Sequence, residues 1–375
     1  MLREQDCDAV LMYDPINIRY ATDSSNMQVW TMHNYERYAL VFADQYTVLW
    51  DFPHCEHLTE GNAQIDEVRD AICWSFFSAG DRMDERLKVW AAELDDVLKQ
   101  RVGGPAKLAL DVSLMEGAEL LGAAGHTFID GESLMGLAKL VKSDDELALM
   151  RHTVSVAEKG MWRMHEELTP GMTENEIWAF MHFENIKHGG EWIETRLLTS
   201  GPRTNPWMQE SSNRVMLEGE LLSFDTDLIG PFGYIADVSR CWTVGHTPPS
   251  AEQRELYRNA YKQVHHNIGL LKAGLSHREF SDNAWPIPEQ YYKYRYCCVA
   301  HGTGMVDENP AIAHAGEDWE KSGYDGVFQK NMVMSVESYI GAEGGTQGVK
   351  LEQQVVITEQ GCEPLCGFPF AEDWL

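Results

Sequence analysis

The chain has 375 residues, room for one large or two medium domains, and an apolar content of 44% that suits a globular protein with a full core. Its 30 basic residues against 59 acidic ones give a formal charge of −29. That balance offers no basic footprint for nucleic acid or an anionic membrane surface, and it steers cationic or zwitterionic ligands instead. No apolar run approaches the ~20 residues that span a bilayer, and MLREQDCDAV at the N-terminus has no apolar signal core. The 8 cysteines are scattered, without a CxxC pair. The expectation is a cytoplasmic protein with reduced thiols, in which adjacent Cys297 and Cys298 are small buried filler beside His301.

In chain order, DAVLMY (8–13) reads as a strand and 38–50 as a hairpin turning at Asp44-Gln45. An amphipathic helix over 82–100 places Leu87, Trp90, Leu94 and Val97 at helical spacing. A short strand over 107–111 follows, and this small α/β domain ends near residue 140. The second domain, 141–375, opens with a helix-start signal, Ser143 with Glu146 three residues on. The signal recurs at Thr173/Glu176, Ser250/Gln253 and Ser276/Glu279. Strand signals lie at 221–228, 234–244, 332–339 and 348–358. The second domain is therefore expected to be α+β, helices packed on a curved, mostly antiparallel sheet.

FDTDLIGPFGYIAD (224–237) carries three aspartates on what reads as two adjoining strands. Side chains alternate along a strand, so Asp225 and Asp227 should share a face, and the turn Gly230-Pro231-Phe232-Gly233 should return Asp237 beside them. Glu337 in VMSVESYIG and Glu352 in GVKLEQQVVIT each sit in a strand whose other residues ask for burial. An ionised carboxylate there is costly unless paired. His301 precedes Gly302-Thr303-Gly304, where glycine permits close backbone approach to a ligand. Five carboxylates and one imidazole in one domain suit iron, manganese, cobalt or zinc, often two ions together, with bound cation offsetting the mutual repulsion of the acids.

Asp, Asp, His, Glu, Glu in this order, with Gly233-Tyr234 before Asp237 and Ser239-Arg240 after it, resembles the creatinase/aminopeptidase superfamily of pita-bread fold. YDPINIRYAT (13–22) is similar to that family's N-terminal segment, so the resemblance spans nearly the whole chain. It implies a small creatinase-like α/β domain followed by a pita-bread catalytic domain, with a dinuclear metal centre. The departures are informative. Thr226, bracketed by Asp225 and Asp227, stands where peptidases carry a single aspartate. Met208 and Met305 stand where they carry histidines that hold the scissile peptide and its tetrahedral intermediate.

TSGPRTNPWMQE, FDTDLIGP, HGTGMVDENP and GGTQGVKLE resemble, more narrowly, the dimethylsulfoniopropionate lyases built on this fold. The resemblance implies metal ligands Asp225, Asp227, Asp237, His301, Glu337 and Glu352, a catalytic base Asp307, and a substrate-pocket Tyr296. Trp207 and Trp30 are candidates to face the sulfonium cation. It further implies a divalent transition metal, iron first and zinc, manganese or cobalt otherwise, a zwitterionic sulfonium substrate and a homodimer. The competing readings are an Xaa-Pro dipeptidase or related amide hydrolase, which the two methionines oppose, and a non-catalytic binding module, which retention of the full carboxylate set opposes.

Overall fold

A computed structural model describes residues 1–112 and 114–375. The chain divides into two compact units, Met1–Ala138 and Lys139–Leu375. In the first, strands β1 (Ala9–Met12), β2 (Tyr38–Phe42), β3 (Thr47–Asp51), β4 (Glu67–Asp70), β5 (Lys107–Leu110) and β6 (Thr127–Asp130) form one sheet in the order β4-β3-β2-β1-β5-β6. β1, β2 and β3 run antiparallel, whereas β4, β5 and β6 join by parallel pairing. The helix Met83–Val102 buries Leu87, Trp90, Leu94 and Val97 against Leu40, Trp50 and Leu108 of one sheet face. Its C-cap Gly103 has φ 85°, the left-handed conformation that ends helices.

The second unit is built from antiparallel strands: β7 (Trp192–Ile193), β8 (Leu198–Ser200), β9 (Leu221–Asp225), β10 (Leu228–Ile229), β11 (Ile235–Ala236), β12 (Ser239–Thr243), β13 (Ala300–Thr303), β14 (Asp307–Ile312), β15 (Val333–Gly341), β16 (Gly348–Ile357) and β17 (Cys362–Pro364). They form the ladders β11-β10-β7, β12-β9-β8 and β14-β13-β15-β16-β17. Reciprocal capping boxes start the helices Asp144–Glu167, Glu174–Lys187 and Ala251–Leu270 at Ser143, Thr173 and Ser250. At Ser276 only the serine half of the box forms. The first two of these helices pack so closely at Gly160 that a Cβ there would lie 2.4 Å from Met181 Sδ. The helix Ala251–Leu270 seals the sheet with Leu256, Tyr257, Ala260 and Val264 over Ile340, Val349 and Leu351.

β15 and β16 are buried along their whole length. The continuous strand expected over 221–228 is instead broken between β9 and β10. Asp227 has φ 37° there, which interrupts the pleat. Cys298 is buried, but Cys297 is exposed, so the filler expectation holds for one of the pair.

Candidate metal centre

The site follows from strand register. Glu337 on β15 lies directly opposite Glu352 on β16, and both are buried to 1% or less. Like charges facing across a ladder destabilise it, so this pairing needs a cation or a proton between the two carboxylates. Asp225 ends β9 opposite Ser239 of β12, and Asp237 lies just before that partner strand. His301 on β13 sits beside β15, its Nε2 3.2 Å from Glu337 Oε1 and 3.3 Å from Asp237 Oδ2. Asp237, His301, Glu337 and Glu352 each offer a ligand atom within 4.8 Å of the others, and so do Asp225, Asp227 and Asp237. Asp237 belongs to both groups.

Asp227 does not arrive by strand alternation. Its left-handed backbone turns it back toward Asp225, and Thr195 Oγ1 donates to its Oδ2 at 2.5 Å. Thr226 between them turns into the sheet, where Oγ1 donates to Ala236 O at 2.7 Å and accepts from Val238 N–H at 3.0 Å. The threonine thus staples the two aspartate-bearing segments together.

One member escaped the sequence reading. Lys350, two residues before Glu352 and so on the same strand face, is fully buried, and its Nζ enters the carboxylate cluster. It donates to Asp225 Oδ2 at 2.9 Å, Glu352 Oε2 at 3.1 Å and Ser239 Oγ at 2.7 Å, and lies 2.8 Å from Glu337 Oε2. Burial opposes its charge, but Asp225, Glu337 and Glu352 outweigh that and push its pKa well up. A lysine in a buried strand whose one other charge is a candidate ligand two residues on was the signal available.

Two cations do not satisfy five acids. Asp225 Oδ1, Asp237 Oδ2, Glu337 Oε2 and Glu352 Oε1 are buried without a hydrogen-bond donor. For Glu337 Oε2 the Lys350 contact is an ion pair outside hydrogen-bond alignment. Each unpartnered acceptor costs about 1–3 kcal/mol, more when charged. Burial, and after it the charge of Glu352, drives Asp225 and Asp237 well above ordinary carboxylate values and Glu337 to about 8. Burial opposes protonation of His301, yet the Glu337 hydrogen bond and the charges of Asp307, Glu337 and Glu352 raise it to about 10. A set of oxygens with one imidazole, several of them orphaned, fits a divalent transition metal.

Residues 148–359 match the profile of Metallopeptidase family M24. The dimethylsulfoniopropionate lyase DddP of Roseovarius nubinhibens is 40% identical over 372 residues, covering 98% of this chain and 83% of the relative. The enzyme of the same name from Roseobacter denitrificans is 40% identical, covering 96% and 82%. The chain belongs to the dimethylsulfoniopropionate lyases of metallopeptidase family M24. The prolidase of Pyrococcus furiosus superposes with a TM-score of 0.76 at 21% identity, covering 98% of both chains, a likeness of fold. The protein is thus a lyase on a peptidase scaffold, and the pita-bread fold read from its motifs is the fold it has.

Around the cage of this lyase, Asp307 opens β14 with Oδ1 3.5 Å from His301 Nδ1 and a side chain 57% exposed. It therefore stands at the solvent side of the cluster. The Tyr296 ring centroid lies 4.6 Å from Lys350 Nζ, and that of Trp207 lies 6.0 Å from it, so both rings face the cage. Burial and then the cage carboxylates push the Tyr296 phenol far up, which keeps it protonated. Trp207 is buried, stacks on Tyr339 with centroids 6.1 Å apart, and leaves its indole N–H unpartnered. Met305 is buried and Met208 is 53% exposed. Trp30 belongs to the N-terminal unit, where it packs edge-on against Phe52 and Phe77. Among the described residues no helix is long and apolar enough to cross a membrane.

Proposed function

We propose that this lyase converts dimethylsulfoniopropionate to dimethyl sulfide and acrylate by β-elimination. The single observation that carries the reading is the juxtaposition of a solvent-side carboxylate, Asp307, with the buried cage through His301, 3.5 Å away. Asp225, Asp227, Asp237, His301, Glu337 and Glu352 would hold the metal, in two ligand groups that share Asp237. A bound divalent ion supplies a Lewis acid for the substrate carboxylate. Iron is the first choice, with zinc, manganese or cobalt as alternatives.

Asp307 takes the proton from the carbon beside the carboxylate. The electron pair of that C–H bond forms the new double bond, the β C–S bond breaks, and its pair leaves with sulfur as neutral dimethyl sulfide. Protonated Tyr296 and the face of Trp207 border the cage where the cation would sit, each aromatic contact contributing about 0.5–2 kcal/mol, and Trp30 of the N-terminal unit is a further candidate to face the sulfonium. No activated water is required, in keeping with methionine at 208 and 305. The protein, with an N-terminal domain over 1–140 and a catalytic domain over 141–375, is read as a cytoplasmic homodimer.

Headspace analysis of purified protein with dimethylsulfoniopropionate tests this directly, with dimethyl sulfide and acrylate expected in equal amounts. Cleavage of Xaa-Pro dipeptides without dimethyl sulfide would return the chain to the hydrolases. Asp307→Ala should lower turnover by about 10²–10⁴-fold while bound metal stays constant. Loss of metal in that variant would make Asp307 a ligand instead.

A further inference from the structure

Behind the strand that carries Asp307 lies a second buried charge pair outside the cage. Lys142 Nζ is 2.7 Å from Glu308 Oε2, and the two side chains are 2% and 3% exposed. Lys142 immediately precedes the N-cap Ser143 and is itself held, its N–H donating to Asn331 O at 3.0 Å and its Nζ to Lys139 O at 2.5 Å. Asn331 belongs to the loop that enters β15, the strand of Glu337.

Glu308 organises the turn before it. Its Oε1 accepts the Met305 N–H at 3.1 Å. At Gly304 a Cβ would lie 2.4 Å from that same oxygen, so the backbone wraps the carboxylate with no room for a side chain. The β13–β14 ladder shifts register between His301 and Gly302, leaving Gly302 opposite Glu308 and Thr303 opposite Asp307. An irregular ladder does not by itself define where Asp307 points. Successive strand residues face opposite ways, so anchoring Glu308 inward directs Asp307 outward, toward His301.

We propose that Lys142 and Glu308 are positioning residues that fix the 304–308 turn and so hold Asp307 at its working distance from His301. The inference rests on the proton-abstracting role given to Asp307 above. A buried ion pair adds little net stability against an apolar isostere, but loss of one partner leaves an uncompensated charge that must find a new arrangement. A displacement of about 1 Å at a reacting group can cost about 100-fold in rate.

Lys142→Met and Glu308→Gln should each lower kcat for dimethylsulfoniopropionate by about 100-fold with KM changed less than about threefold. Bound metal per chain should stay constant, since the cage keeps its donors. Lys142→Arg, which retains the charge, should recover most of the lost rate. Hydrogen–deuterium exchange gives a readout that needs no turnover: the Met305 amide should exchange faster in Lys142→Met. If wild-type protein releases no dimethyl sulfide, the lyase reading falls, and the exchange result still decides the tether. Unchanged Met305 exchange, a kcat within about threefold of wild type, or metal lost in step with rate would each overturn the proposal. Should Lys142→Met fail to fold, Glu308→Gln decides it, because it keeps the side chain's size and an acceptor for Met305.

Discussion

Two buried ionic clusters, one in each unit, are built on opposite plans. In the N-terminal unit Arg37 and Asp51 are 1% and 2% exposed and pair at 3.0 Å. Arg37 also donates to Ser24 Oγ at 2.6 Å and Ser24 O at 3.3 Å, while Asp51 Oδ1 accepts from Asn26 Nδ2 at 3.0 Å and Phe52 N–H at 2.8 Å. One positive charge meets one negative charge, and hydrogen bonds close the remainder. In the C-terminal unit five acids meet Lys350 and His301, and four buried oxygens find no donor. A cluster that closes on itself serves the fold. One left with buried carboxylate oxygens that no group of the chain satisfies is preorganised for a cation from outside it.

The contrast is sharpest when a cage donor is removed. Glu337→Gln should lose bound metal and lower turnover by about a thousandfold or more, with chelation of the wild-type protein doing the same and re-addition of metal reversing it. A variant that keeps full metal content by elemental analysis would take Glu337 out of the centre. Arg37→Met probes the balanced cluster and should behave differently. It leaves Asp51 buried without its cation, at a cost of about 3–5 kcal/mol in unfolding free energy by denaturant titration, with metal content per folded chain unchanged.

Lys350→Met tests the border between the two plans. Lys350 grips Asp225 Oδ2 and Glu352 Oε2, the oxygens opposite the orphaned Asp225 Oδ1 and Glu352 Oε1. It thereby fixes the orientation of both carboxylates, as partners of metal ligands do. Its loss should weaken metal affinity about 10–100-fold by chelator competition and lower the melting temperature of the metal-free protein more than that of the loaded one. Tighter metal binding would instead make Lys350 a competitor for the site.

Much of this was legible in residue order, for a physical reason. Glu337 and Glu352 stand out because they interrupt runs that ask for burial, and the serine and threonine caps announce their helices through local hydrogen bonding alone. What stayed hidden depends on register and on distant partners. Alternation alone could set Lys350 beside Glu352, but its contacts with Asp225 and Glu337 come from other strands and depend on register. Asp227 was expected to face its neighbour by pleat geometry, whereas a left-handed backbone does that work. Lys142 and Glu308 are joined only by the tertiary fold. The parallel edges of the N-terminal sheet, β4 and β6, are too exposed to leave the apolar pattern that marks β1 and β5, strands of the same length.

The surplus acidity of the cage should also appear as protons. In the metal-free cluster Glu337 is raised to about 8 and His301 to about 10, so at pH 6.5 both hold a proton that must leave before either can bind metal. Asp225 and Asp237 are raised as well, so metal binding should release two protons or more at pH 6.5, and about one fewer at pH 8.5 as Glu337 ionises in the free protein. The sign follows directly: a pKa raised in the free cage means that protons compete with metal, so affinity weakens as pH falls, by about tenfold per pH unit for each proton displaced. Titration calorimetry in buffers of different ionisation enthalpy counts these protons. A release near zero at pH 6.5 would mean that the free cage already carries its acids ionised, balanced by Lys350 alone, and the two clusters would then differ in size rather than in kind.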